Sequence, residues 1–222
     1  MVGYVESITD PSYEGQILVL TFPLAGNYGV PSREEAAQSI QKLLASPFES
    51  SRIHVAGLIV SYYSHEFSHY LAQTGLSDWL KESGVPAIYG IDTRALTKKI
   101  RNQGSMLGKL LMPQPGASIA NAAAAGDWRQ AVVDLPFADP NTQNLVARVS
   151  CKKPTLYTPA NTANGESLGK YDAPLLHPSG RPIRVLALDV GMKYNQIRCF
   201  TSRGVELKVV PWDYDFLAEA EA

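Results

Sequence analysis

The sequence has little of three things: cysteine, net charge and long apolar runs. Its two cysteines, Cys151 and Cys199, cannot form a disulfide framework, which favours a reducing compartment. The formal net charge is −1 over 222 residues, so the total charge does not indicate nucleic-acid or membrane binding. No window reaches the roughly 18 apolar residues of a membrane span, and the N-terminus lacks the features of a signal peptide. We therefore expect a cytoplasmic protein with no membrane and no nucleic-acid partner.

What the sequence does contain is an alternation of strand and helix patterns, which predicts an α/β fold. Short, nearly continuous apolar runs at 16–22 and 53–60 predict strands buried on both faces. Ser32 and Glu35 form a capping-box pattern, which predicts a helix from there to about residue 44. Further patterns predict helices over 66–73, 76–81 and 94–102 and strands over 86–91, 105–112 and 144–151.

Composition divides the chain into three parts. Residues 1–151 read as one α/β domain, in which 112–126 is a surface excursion and 128–133 a brief helix. Residues 152–182 are rich in proline, threonine, asparagine and glycine and read as a linker. A new unit begins at 183, with a strand over 183–188, a helix over 193–203 and a strand over 205–210. Strand, helix and strand with short joints predict a parallel crossover at the start of a doubly wound domain.

Several motifs suggest chemistry that we do not expect to find. His65, Glu66 and His69 match the H-E-x-x-H zinc pattern, but the helix is short and no third ligand follows in register. The turn from Asp189 to Lys193 has one glycine where dinucleotide-binding loops have three, so we predict a structural joint. Lys193 still lies near a helix N-terminus, where an anion could meet it. We expect no metal site.

Neither cysteine shows the setting of a catalytic nucleophile. Such a cysteine needs a sharp turn or a helix N-terminus and a base beside it. Cys199 falls inside a predicted helix, and Cys151 precedes two lysines with no histidine placed to activate it. We therefore expect no catalytic residue in this chain.

A turn around Ser12 is the most distinctive local feature. Pro11 pre-sets the backbone for a turn, and Asp10 and Ser12 carry short side chains that hydrogen-bond nearby amides. The strand at 16–22 follows, and a loop at 23–29 with two glycines and an asparagine comes after it. The stretch GYVESITDPSYEGQILVLTFPLAGNYGVP, at 3–31, resembles the opening motif of the small (glutaminase) part of glutamine-dependent carbamoyl-phosphate synthetases. The resemblance continues through 84–110 and 185–216, and its details are most similar to the fused fungal form of the pyrimidine pathway.

This resemblance implies a fold and an activity. It implies a layered β/β/α N-terminal small-subunit domain, followed by the first βαβ unit of a class I glutamine amidotransferase domain. In the family a cysteine on a nucleophile elbow, with a histidine and a glutamate, hydrolyses glutamine, and these residues would lie beyond Ala222. We therefore expect a fragment truncated at both ends and inactive alone. ATP and Mg²⁺ are expected in the synthetase part only.

The resemblance also implies partners. Ser12 corresponds to the serine that reaches from the first domain to L-glutamine, although it could instead only cap its turn. The loop containing Tyr28 is expected to be exposed and to contact the synthetase part. Two other interpretations stay open from the sequence: a separate small subunit of the arginine pathway, and a binding module without catalysis.

Overall fold

The computed structural model describes residues 3–111, 132–159 and 175–217. Five strands lie in the first of these ranges: β1 (Ile17–Leu20), β2 (Val30–Pro31), β3 (Gly57–Val60), β4 (Ala72–Thr74) and β5 (Ala87–Ile88). β1, β3 and β5 form a parallel sheet with β3 in the middle, and β2 pairs antiparallel with β4. All four residues of β3 are buried, as predicted for 53–60. The strand predicted at 16–22 is present as β1, but all four of its residues are only partly buried, so the prediction of full burial on both faces is wrong; among the described residues β1 lies at the edge of its sheet.

A second sheet lies in the C-terminal part. Its strands are β6 (Thr155–Tyr157), β7 (Arg184–Asp189) and β8 (Glu206–Pro211), with β8 in the middle. β7 and β8 are parallel and are joined by a helix at Tyr194–Thr201, so the predicted strand–helix–strand crossover is confirmed. β6 pairs antiparallel with β8, which brings part of the stretch at 152–182 into this sheet.

The described helices are short. They are α1 (Tyr4–Thr9), α2 (Arg33–Ala37), α3 (Ile40–Ala45), α4 (Leu76–Glu82), α5 (Thr93–Gln103), α6 (Leu145–Val149) and α7 (Tyr194–Thr201), with 3₁₀ turns at Pro11–Tyr13 and Pro140–Thr142. Of these, α2, α3, α5 and α6 begin at a side-chain cap. The predicted Ser32 cap is confirmed, since its hydroxyl accepts from the Glu35 N–H at 3.0 Å. The single helix predicted over 32–44 is wrong, because Ser39 is extended (φ −157°, ψ 159°) and caps a second helix, accepting from the Lys42 N–H at 3.2 Å.

Three further predictions fail for identifiable reasons. Residues 66–73 form no helix, because this backbone bonds elsewhere: the Ser68 N–H donates to the Asn27 carbonyl, and β4 pairs with β2. Residues 144–151 contain α6 and no strand, because the Asn144 side chain caps a helix at the Ala147 N–H, 2.9 Å away. Residues 105–111 form no strand, and Leu110 packs instead against Gly57 of β3.

Two hydrophobic cores hold the molecule together. The first packs α1, α4 and the parallel sheet, with Leu76, Trp79 and Leu80 buried as predicted. The second lies between α7 and the second sheet, and Leu44 of α3 is one of its members. We call the described residues up to 151 the first unit, and α7 with the sheet of β6, β7 and β8 the second unit. The first unit therefore contributes the Leu44 side chain to the core of the second unit.

Some predictions fall outside the described ranges. These are the surface excursion at 112–126, residues 128–131 of the brief helix, and 160–174 of the linker. In the part of the chain that the structure describes, no helix is both long enough and apolar enough to cross a membrane.

Candidate functional site

The turn that carries Ser12 is held by neighbouring side chains. Asp10 accepts a hydrogen bond from the Ser12 backbone N–H at 2.9 Å, which confirms the predicted turn. The Gln16 side-chain amide donates to the Ser12 carbonyl oxygen at 3.0 Å. Pro11 is buried and Ser12 is exposed. The Asp10 and Gln16 side chains thus hold the backbone N–H and carbonyl of Ser12, while the residue stays exposed to solvent. A fixed backbone restricts where the Ser12 hydroxyl can point.

This turn packs against the loop that follows β7. The Lys193 ammonium lies 3.3 Å from a carboxylate oxygen of Asp10. Gly191 has φ +106°, and a Cβ added there would lie 3.5 Å from Pro11 Cβ and 3.1 Å from a Val149 methyl group. The positive φ favours glycine at 191, and a side chain there would also crowd the Val149 methyl group. The Ser12 turn and the loop after β7 therefore lie on the same side of the molecule.

Asp10 carries the negative charge at this junction. Partial burial raises the pKa of Asp10. The N–H and hydroxyl of Ser12 and the ammonium of Lys193 together lower it by more, so the pKa of Asp10 lies below its ordinary value. The carboxylate is therefore ionised at neutral pH and pairs with Lys193. The sequence left Lys193 available to an anion; in the structure its charge faces Asp10.

The loop after β7 is organised by a second aspartate. Asp189 is buried, and one of its oxygens accepts from the N–H groups of Gly191 and Met192 at 2.9 and 2.8 Å. The other oxygen accepts from the Cys151 N–H at 2.7 Å. The loop therefore serves as a tight structural joint, tied to the segment after α6. It also lies at the carboxyl end of a parallel strand, where open α/β sheets bind ligands.

Glu14 ends the Ser12 turn in a buried ionic cluster. Its carboxylate is 4% exposed and lies 2.6 Å from His54 Nδ1, 3.0 Å from the Arg52 guanidinium and 2.7 Å from the Arg148 guanidinium. Burial raises the pKa of Glu14, but the His54 hydrogen bond and the two guanidinium groups lower it below its ordinary value. Burial and the Arg52 guanidinium lower the pKa of His54 below its ordinary value, against the opposing effects of Glu14 and Asp10. The cluster joins the turn to the segment before β3 and to α6.

The other candidates from the sequence are not assembled into a site. His65 and His69 lie in an irregular segment, where the His65 ring packs on Tyr63 and His69 Nδ1 accepts from the Leu71 N–H at 3.2 Å. Among the residues that the structure describes, no group of three or more His, Cys, Asp or Glu side chains could hold a metal ion. Burial and the Asp189 carboxylate raise the pKa of the Cys151 thiol, which disfavours the thiolate.

The loop containing Tyr28, at 23–29, is exposed only in part. Its Leu24 and the preceding Phe22 are exposed apolar side chains. The Tyr28 ring stacks on Tyr4 at 4.1 Å between centroids, and its hydroxyl accepts from the Tyr4 N–H at 2.9 Å. Burial raises the pKa of Tyr28 to about 12. The expected exposure therefore holds for Leu24, whereas the Tyr28 ring closes the loop onto α1.

Sequence reasoning missed the side chains that fix the site. Glu14 and His54 are 40 residues apart, and Glu49 and Asn195, which bond across the two units, are 146 residues apart. None of these residues belongs to a short motif. Only the turn residues at 10–12 gave a local signal, because their hydrogen bonds are made within the turn itself.

Comparisons with known proteins find relatives over nearly the whole chain. Residues 1–110 match the family model for the carbamoyl-phosphate synthase small chain, CPSase domain. The chain is 56% identical to multifunctional protein pyrABCN of Emericella nidulans, over 97% of this chain and 9% of the relative. It is 54% identical to multifunctional protein pyr-3 of Neurospora crassa, over 99% of this chain and 12% of the relative.

A third relative is named as an ammonia-type carbamoyl-phosphate synthase. The chain is 42% identical to the mitochondrial carbamoyl-phosphate synthase [ammonia] of Aquarana catesbeiana, over 96% of this chain and 12% of the relative. The chain thus spans about a tenth of the length of the curated relatives it matches.

Proposed function

The chain belongs to the carbamoyl-phosphate synthase small-chain family through residues 1–110, and on that premise we propose that it works within a glutamine-dependent carbamoyl-phosphate synthase. The complete enzyme hydrolyses L-glutamine and passes ammonia to a synthetase part. There bicarbonate and ATP, with Mg²⁺, yield carbamoyl phosphate for pyrimidine synthesis in the cytoplasm. The identity of 56% to a fungal multifunctional protein supports this pathway.

In this proposal the chain supplies the scaffold and not the nucleophile. The first unit is the N-terminal small-subunit domain, and the second is the start of a class I amidotransferase domain. The cysteine, histidine and glutamate that cleave glutamine belong to the remainder of that domain. The raised pKa of the Cys151 thiol supports the assignment of no catalytic role to this residue.

Ser12 is the residue of this chain that we propose to contact glutamine. The observation that carries this proposal is the position of its turn, packed by Pro11 and Asp10 against the loop after β7. That loop lies where the parallel strands β7 and β8 end, at Asp189 and Pro211. In open α/β sheets this edge binds ligands, and a hydroxyl can donate to or accept from an amide.

A serine substitution tests this contact in the complete enzyme. We expect Ser12→Ala to raise the KM for glutamine by up to about tenfold, which corresponds to the loss of one hydrogen bond. Carbamoyl-phosphate formation from saturating ammonium chloride should stay unchanged, because ammonia does not need the glutamine pocket. Ser68→Ala removes another exposed hydroxyl of the first unit and serves as the control. An unchanged KM for glutamine in Ser12→Ala would rule out the contact.

The inactivity of the chain alone is tested separately. The purified 222-residue chain should release no ammonia from glutamine above a buffer control. Ammonia release that survives replacement of both Cys151 and Cys199 by serine would place catalysis elsewhere in this chain and contradict the scaffold role.

A second candidate is the use of free ammonia in place of glutamine. It is favoured by the 42% identity, over 96% of this chain, to a relative named carbamoyl-phosphate synthase [ammonia]. The two candidates differ in one measurement on the complete enzyme. Formation of carbamoyl phosphate with glutamine as the only nitrogen source supports the first, and formation with ammonium but not with glutamine supports the second.

A further inference from the structure

Arg198 of α7 reaches across to the end of α3. Its guanidinium donates to the carbonyl oxygens of Leu44 at 3.2 Å, Ser46 at 3.0 Å and Phe48 at 3.1 Å. α3 ends at Ala45, so these carbonyls belong to its last turn and to the segment after it. Such carbonyls have no partners within the helix, and a cation near them is favourable. One side chain of the second unit therefore caps a helix of the first.

Glu49 makes the reciprocal contacts at the start of α7. Its carboxylate lies 3.3 Å from the Arg198 guanidinium and accepts from the Asn195 N–H at 2.8 Å. Its backbone carbonyl accepts from the Tyr194 N–H at 2.9 Å. The first N–H groups of a helix lack internal partners, so the first unit supplies acceptors for two of them. α7 is thus held both at its first turn and at Arg198.

Apolar packing reinforces this connection. Leu44 is 1% exposed and packs in the second core with Ile197, the residue before Arg198. Polar and apolar contacts therefore hold the same face of α7 against the end of α3. The segment at 44–49 therefore determines where α7 lies relative to the first unit.

The position of α7 in turn determines where the loop after β7 contacts the Ser12 turn. Lys193, the residue that caps α7, is the one that pairs with Asp10. Arg198 lies five residues further along, about 7.5 Å at the helical rise of 1.5 Å per residue. A shift of α7 at Arg198 would therefore move the loop after β7 away from the Ser12 turn.

We propose that Arg198 is a positioning residue for glutamine binding: it fixes α7 on the segment at 44–49 and so keeps Ser12 in register with the loop after β7. This inference rests on the proposed function of Ser12. Arginine is suited to the role because its planar fork serves several acceptors at once, whereas a lysine ammonium is a single point charge. Arg198→Lys therefore keeps the positive charge but cannot make the hydrogen bonds to Leu44, Ser46 and Phe48 at the same time.

Arg203 provides a matched control. It follows the C-terminal end of the same helix and is exposed, and its guanidinium donates to the Cys199 carbonyl within its own unit. Arg203→Lys makes the same chemical change without affecting the bonds to Leu44, Ser46 and Phe48.

The first measurement is hydrogen–deuterium exchange on the complete enzyme, followed by mass spectrometry. In Arg198→Lys we expect peptides covering 44–50 and 193–198 to exchange about tenfold faster, as for the loss of one or two hydrogen bonds. Peptides of β7 and β8 should change by less than about twofold, and Arg203→Lys should match the unaltered enzyme. No acceleration, or equal acceleration of the sheet, overturns the proposal, because the second result would mean general destabilisation.

The second measurement is a double-mutant cycle on glutamine hydrolysis. Arg198→Lys should raise the KM for glutamine about fivefold with kcat nearly unchanged, and adding Ser12→Ala should raise it less than about twofold further. Independent, multiplying effects overturn the proposal. If Ser12→Ala alone leaves the KM unchanged, the glutamine contact fails, and hydrogen exchange alone then decides whether Arg198 holds the two units.

Discussion

The buried Glu14 carboxylate stays ionised because two guanidinium groups and one imidazole, from three other positions in the chain, pair with it. His54, Arg52 and Arg148 surround it, and the neighbouring turn carries Ser12. A charge in this environment is tolerated only when its hydrogen bonds and counter-charges are complete. The cluster therefore links the stability of the first unit to the position of Ser12.

Removing the Glu14 charge should be costly. We expect Glu14→Gln to lower the free energy of unfolding by about 3 kcal/mol, because His54 and two arginines lose a shared partner. Urea denaturation of the chain followed by circular dichroism measures this. Glu34→Gln, an exposed change in α2, should cost less than about 0.5 kcal/mol. Equal effects of the two changes would mean that the cluster contributes nothing specific.

The same cluster predicts a pH dependence of stability. His54 faces Glu14, Arg52 and Asp10, and both His54 and Glu14 have lowered pKa values in the folded chain. The unfolded chain therefore binds more protons as pH falls, so the free energy of unfolding should decrease. The decrease begins below the ordinary His54 value of 6.5 and continues below the ordinary Glu14 value of 4.5.

Urea titrations between pH 8 and pH 4 measure this dependence. In His54→Gln, the free energy of unfolding should fall less steeply just below pH 6.5. Its fall below pH 4.5 should be unchanged. A curve that rises on acidification, or a His54→Gln curve parallel to the original, contradicts the assigned direction for His54.

At the scale of elements, a side-chain cap marks the start of α2, α3, α5 and α6. α5 starts where the Asp92 carboxylate accepts from the Ala95 N–H at 2.9 Å. We expect Asp92→Ala to lower the free energy of unfolding by about 1 kcal/mol, because one N–H loses its acceptor. Asp92→Asn keeps an acceptor and should cost only a few tenths of a kcal/mol. Equal losses in the two variants would assign the effect to charge and not to the cap.

Caps and turns were also the elements that the sequence predicted best. The Ser32 cap and the Asp10 turn both form as expected, because each depends on neighbours within four residues. The helix predicted at 66–73 failed because β2 takes residues 72–74 as a pairing partner. Its apolar pattern contained no information about that partner.

At the scale of the whole molecule, Leu44 joins the two units. We expect Leu44→Ala to cost about 2–5 kcal/mol and to loosen the second core from the first unit. Trp79 lies in the first core and Trp212 follows β8, so single-tryptophan variants report each unit by fluorescence. Their urea transitions should coincide in the unaltered chain and separate in Leu44→Ala.

A buried leucine within one core provides the comparison. Leu58→Ala opens a cavity in the first core only and should shift the Trp79 transition to lower urea concentration. Coincident transitions in Leu44→Ala would show that the two units are held together by other contacts.

Sequence alone determined the features that are local: the α/β class, the crossover at 183–210, the Ser12 turn and the similarity to the carbamoyl-phosphate synthase small chain. The first three depend on periodicity or on hydrogen bonds between near neighbours, and the similarity depends on the motifs at 3–31, 84–110 and 185–216. Tertiary structure alone decided the partners of Glu14, the bonds of Arg198 to the first unit and the inward position of Tyr28. Those contacts join residues far apart in the chain, and the free energy that selects them arises only when both segments are buried together.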